Sequence, residues 1–137
     1  MDIKKFTEDS LGNLNDHLNG IIPALQNTAE CFRVKGAEEA NKNYLLCVEA
    51  IQLFDELIDG IGRLLNLDFS RLSINGETIQ SRKERLLKLT SDMHTAQIGE
   101  DWIMLADLLE YELTPLIKEW INIIPSFKAE IKSAYNS

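Results

Sequence analysis

Three groups of side chains in this 137-residue sequence have the types that could do chemistry. The first is acidic: Asp107, Glu110 and Glu112. Carboxylates placed on either side of a substrate can act as acid and base. On a helical wheel Asp107 and Glu110 share one flank and Glu112 lies on the opposite one. They are expected to form a solvated rim. The second group is His17 and His94. Helical di-metal sites use Glu-x-x-His pairs that face the core. Here Leu14 stands three residues before His17, and Ser91 three before His94. Asp92 and His94 are too closely spaced to share a helix face. No metal site is expected. The third group is Cys31 and Cys47, on either side of a turn near Lys35-Gly36. In an antiparallel hairpin centred there, they are offset by roughly 10 Å of helical rise. A disulfide needs Cα atoms within about 7 Å. Two reduced, mostly buried thiols follow.

Other chemistry is equally thin. The sequence holds no nucleophile elbow, no P-loop and no dinucleotide fingerprint. Gly60-x-Gly62, with Arg63 after it, falls inside a predicted helix and implies close packing or a local kink. Arg82, Lys83, Arg85 and Lys88 are interrupted by Glu84 and have no aromatic platform among them. They are expected to form a solvated helix face. A non-enzymatic protein without cofactors is the expectation; a metal-dependent enzyme is a remote alternative.

The elements that position these residues are helices. The most informative stretch is Glu100–Trp120, EDWIMLADLLEYELTPLIKEW. At about 100° per residue, Trp102, Ala106, Leu109, Leu113, Leu116 and Trp120 form one apolar stripe. Both tryptophans then act as packing anchors. Met104, Leu108, Tyr111 and Pro115 form a second stripe on the other side. A helix with one wet side needs only the first. The second must meet the chain itself, a second copy, or a partner, because monomers rarely tolerate such a patch in water. These four residues are the candidate partner-binding site.

The remaining helices follow from periodicity. The first spans about Glu8 to Val34, capped by Thr7 or Ser10, with Leu11, Leu14, Leu18, Ile21, Leu25, Thr28 and Phe32 in rhythm. Pro23 should kink it or break it in two. Gly36 closes it. The second spans about Ala37 to Asn66, on a stripe from Ala40 through Tyr44, Cys47, Ile51, Phe54, Ile58 and Ile61 to Leu65. Leu67–Gly76 is a long crossing loop whose Phe69, Leu72 and Ile74 should pin it to the body. It is the leading internal cover for the second stripe. The third helix, about Glu77 to Gln97, puts Ile79, Leu86, Leu89 and Met93 inward, with Leu87 beside them. Asp101 and Glu100 favour the start of the last helix, which should kink at Pro115 and Pro125. The expected fold is all-α: one domain, an antiparallel four-helix bundle with proline kinks and one crossing loop at about 67–76.

Composition narrows the classes. Hydrophobic residues make up 45%, enough to argue against disorder. Only 7 Gly and 3 Pro argue against an all-β fold. A net charge of −8 disfavours nucleic acid and anionic membranes as partners. The opening MDIKKFTEDS lacks the apolar segment of a signal peptide. A cytoplasmic location is expected.

Gly36, Glu39-Ala40-Asn41, Phe54-Asp55-Glu56-Leu57 and the closing Trp120 resemble the layout of flagellin-type export chaperones, over about Cys31–Trp120. That resemblance implies a small acidic helical bundle that holds another protein. The segment DWIMLADLLEYELTPLIKEW also resembles the closing helix of a family of uncharacterised bacterial helical proteins, which implies a fold and no function. The combined expectation is an adaptor or chaperone-like interaction module that holds an amphipathic helix. The alternative is a homodimer through the Met104, Leu108 and Tyr111 stripe.

Overall fold

The computed structural model describes residues 2–136, with side chains over 2–133. Helix α1 (Ile3–Val34) starts earlier than predicted. Asp2 caps it by accepting from the Lys5 N–H at 3.2 Å, while Thr7 is buried inside the helix. The chain stays helical through Pro23, so the predicted break into two helices is not realised. Gly36, at φ 106°, joins α1 to α2 (Ala37–Leu64). The two helices pair antiparallel. His17 meets the Ala50 carbonyl, Thr28 meets Cys47, and Asn43 meets Cys31.

The crossing segment holds a small hairpin that periodicity did not predict. Strands β1 (Ser73–Ile74) and β2 (Glu77–Thr78) pair antiparallel around Asn75-Gly76. Both turn residues have positive φ, 53° and 83°, as a two-residue hairpin turn requires. Helix α3 (Ile79–Ile98) therefore starts after β2, with the Thr78 hydroxyl accepting from the Ser81 N–H. The crossing segment does not cover the second stripe of the last helix. Its Phe69 ring lies 6.2 Å from Phe127, near the far end of the chain, and Ile74 is buried.

The last helix has three parts. Helix α4 (Trp102–Asp107) is capped by Asp101, a π-helical turn spans Leu108–Leu113, and α5 runs over Thr114–Asn136. Backbone angles stay helical at both junctions. Pro115 explains the wide turn. Proline lacks an N–H and its ring collides with the carbonyl four residues back, here Tyr111. Widening the turn before it relieves that collision. The Leu109 carbonyl instead takes the Thr114 N–H and, at 2.8 Å, the Thr114 hydroxyl. The extra residue shifts the outer faces on either side of it relative to a straight wheel.

Helix α1 is the centre of the packing. Its buried stripe meets α2 on one side and α4, the π turn and α5 on the other. Trp120 is buried edge-on against Phe54 of α2, at 4.9 Å. Trp102 is half-buried and stacks on Phe32 at 5.4 Å. Helix α3 packs on α4 and the π turn, and α2 and α3 make few close backbone approaches. Among the described residues, no helix is long and apolar enough to cross a membrane.

The two glycines of Gly60-x-Gly62 differ. A Cβ on Gly62 would stand 2.6 Å from the Phe69 ring, whereas one on Gly60 would meet nothing within 4 Å. Gly62→Ala should therefore destabilise by about 1–3 kcal/mol, as overpacking does. Gly60→Ala should stabilise by about 0.5–1 kcal/mol through helix propensity. Urea midpoints of the two variants check the opposite signs, and Phe69→Leu should rescue Gly62→Ala.

Candidate functional site

The separation of α2 from α3 leaves a groove. Val48, Ile51 and Gln52 of α2 face Lys83, Leu86, Leu87 and Thr90 of α3 across a cavity of about 520 Å³. An adjoining cavity of about 470 Å³ continues it past Tyr44, Leu45, Leu87, Ser91 and His94. Ile51, Leu86 and Tyr44 are buried in its floor and Val48 is half-buried. Leu45 and Leu87 stand on its walls at 54% and 71% exposure, so water meets apolar surface along its length. These residues lie beside the core stripes. Periodicity places the stripes well, but Leu87, expected beside the inward stripe of the third helix, is turned out to water; the adjacent pairs Leu45-Leu46 and Leu86-Leu87 are the signal for such walls.

Side-chain contacts bridge α2 and α3 at two points along the groove. At one, Lys83 bonds Asp59, lies 3.6 Å from Asp55, and sits 5.9 Å from the Phe69 ring centre. At the other, the Gln97 side-chain amide donates to the Asn41 side-chain carbonyl at 3.4 Å. Gln97 follows Lys83 by fourteen positions on α3, which is about 21 Å of helix. Of the charges lining the groove, Lys83 is taken by α2, while Glu56 and Glu84 are exposed without a cationic partner among the described residues.

The predicted partner-binding residues land on different surroundings. Met104 is half exposed, and Ile103 beside it is 60% exposed. Tyr111 is 66% exposed and lies under the Arg33 guanidinium of α1, 5.7 Å from the ring centre. Leu108 is partly buried and packs against the core. Pro115, beyond the π turn, is exposed beside Arg85, Lys88 and Leu89 of α3. The wide turn has thus carried Pro115 away from the Tyr111 side.

The charged groups are more engaged than the sequence reading allowed. Asp107 and Glu110 do not form a free rim: both bind Arg33, Asp107 at 2.8 Å. The Asp107 hydrogen bond first, then that of Glu110, raises the Arg33 pKa above its ordinary value. The basic cluster is likewise no solvated face. Arg82 is buried and donates to the Ile74 carbonyl at 3.0 Å. Arg85 bridges Glu77 and Glu119 at 2.8 and 2.9 Å. Of the four, Lys88 remains open, with a weak contact to Asp92. A crevice of about 540 Å³ between α1 and α2 holds His17, Asn27 and Cys47. Both cysteines are buried free thiols, and burial pushes the Cys47 thiol up, away from reactivity.

A family model described as a domain of unknown function (DUF8042) matches residues 9–123, and the chain belongs to that family. No curated protein and no solved structure matches it.

The Arg85–Glu77 pair makes stability pH-dependent. The Arg85 guanidinium holds the Glu77 carboxyl below its ordinary value of 4.5, against partial burial, with Ser81 and Arg82 adding to the lowering. A depressed carboxylate contributes fully above its unfolded pKa, and that contribution is lost as pH falls through the folded value. Glu77→Gln should therefore be less stable than wild type at about pH 7, and should lose less on acidification to about pH 3.5. Urea midpoints at the two pH values check this; parallel acid losses would show that Glu77 carries none of it.

Proposed function

We propose that this DUF8042 protein is an antiparallel four-helix bundle that works as a non-enzymatic interaction module, adaptor or chaperone-like, in the cytoplasm of a bacterium. Its partner is another protein, and neither nucleic acid nor a membrane is its target. The observation that carries the reading is the groove between α2 and α3. It has a buried apolar floor and exposed Leu45 and Leu87 on its walls, and side-chain contacts bridge it at two points. An amphipathic helix buries its apolar stripe in such a groove. The net charge of −8 supports the exclusion of polyanions. The looser similarity to flagellin-type export chaperones supports the same class of activity.

A second reading, a homodimer, rests on exposed Ile103, Met104 and Tyr111. Leu108 contributes less to such an interface, since it already packs inward.

A photoreactive side chain at position 87 should crosslink a specific protein, and the same group at exposed Arg63 should not. The captured protein, once purified, should bind wild type, and Leu87→Lys should weaken that binding by at least about tenfold while helicity is unchanged. Equal capture at both positions, or binding indifferent to Leu87→Lys, overturns the reading. For the homodimer, the solution mass should fall from dimer to folded monomer in Met104→Glu with Tyr111→Glu. A wild type that stays monomeric at high concentration removes it.

A further inference from the structure

Resting on the groove reading above, we infer that the occupant is a cationic amphipathic helix about four turns long, with its basic residues gathered toward one end. Length comes from the two bridging contacts. Lys83 with Asp55 and Asp59 bounds the groove on one side, and Gln97 with Asn41 on the other. The span between them, about 21 Å, takes about 14 helical residues. Apolar anchors come from the walls: an i, i+3, i+4, i+7 stripe meets Leu45, Val48 and Leu87 above the floor of Ile51 and Leu86.

Charge comes from the lining. Asp55 is shared with Lys83. Glu56 on α2 and Glu84 on α3 face water from opposite walls at the hairpin end of the groove, and neither has a cationic partner among the described residues. The other end is lined by Ser91, His94 and Gln97 and carries no carboxylate in the groove. Lys or Arg on the occupant therefore gains most beside Glu56 and Glu84. An acidic helix meets two like charges there, which suppresses it as a partner. The chain's overall charge of −8 steers a cationic segment in and slows an anionic one.

The test uses two peptides of about 18 residues with the same leucine stripe, one with lysine on its polar face and one with glutamate. Fluorescence anisotropy gives their affinities for the full-length protein. The lysine peptide should bind at least about tenfold tighter, and added salt should reduce the difference. Glu56→Lys with Glu84→Lys should reverse the preference, and Leu87→Lys should weaken the lysine peptide at least about tenfold. An unchanged preference in the charge-reversed variant overturns the assignment to Glu56 and Glu84. So does lysine-peptide binding that ignores Leu87→Lys. In either case a position-87 crosslink would leave the interaction module standing with a different occupant. Failure of both peptides to bind overturns the helical occupant itself, and absence of any position-87 crosslink overturns the module.

Discussion

Everything in this fold hangs on the buried stripe of α1. Leu11, Leu14, Leu18, Ile21, Leu25, Ala29 and Phe32 are all buried, and they form a seam against which α2 and the last helix both lie. A helix of this length gains little from propensity alone and is held by such packing. One consequence concerns α3. It packs on α4 and the π turn, so its position is fixed through the last helix. It meets α2 through the Lys83 ion pairs, the Gln97 amide and a shared apolar floor. The groove lies where α2 and α3 make few close backbone approaches.

The π-helical turn is the second constraint. Pro115 would disrupt an ordinary helix at a cost of about 3 kcal/mol. Here the wide turn and the Thr114 hydroxyl absorb it inside the core, where Leu109 and Leu113 are fully buried. The stripe from Leu105 through Leu109, Leu113, Leu116 and Trp120 to Phe127 stays continuous across the turn. The outer face does not: Tyr111 looks toward Arg33, and Pro115 toward α3. An ion pair of Arg33 with Asp107 and Glu110 fixes the turn to the end of α1.

How much of this was legible depends on which signal carried it. The stripes of α1 and α2 obey a simple period, and every position named for them is buried except Leu65, which is half-buried just past the end of α2 at Leu64. The all-α class follows from that. The hairpin at Ser73–Thr78 is too short for any periodic signal, and only Asn75-Gly76 marked it. The wheel for Glu100–Trp120 placed its core stripe well, since Ala106, Leu109, Leu113, Leu116 and Trp120 are buried and Trp102 is half-buried. Its second stripe assumed a constant 100° per residue across the π turn, and Pro115 stands apart from Tyr111. Charges were misread for another reason. Arg33 lies 74 residues before Asp107 and 77 before Glu110, and Arg82 lies 37 before Glu119. No local pattern reports partners at that distance. The groove was invisible because it is a space between elements, and sequence periodicity describes elements.

Leu87 shows why that space is open to a function distinct from stability. It is 71% exposed, beside a Leu86 that is buried. Full burial of a leucine side chain is worth about 1.5–3 kcal/mol, and Leu87 realises only a small part of that in folding. Substitutions at such surface positions usually change stability within about 0.5 kcal/mol. The apolar character of Leu87 therefore does little for the fold, and the same holds for Leu45 at 54% exposure. The transfer energy left unrealised at both sites is available to whatever seats between α2 and α3. Folding can rest on α1 while binding draws on the neighbouring flank of α2, where Leu45 can be altered at little cost to the fold, whereas Tyr44 and Ile51 serve both.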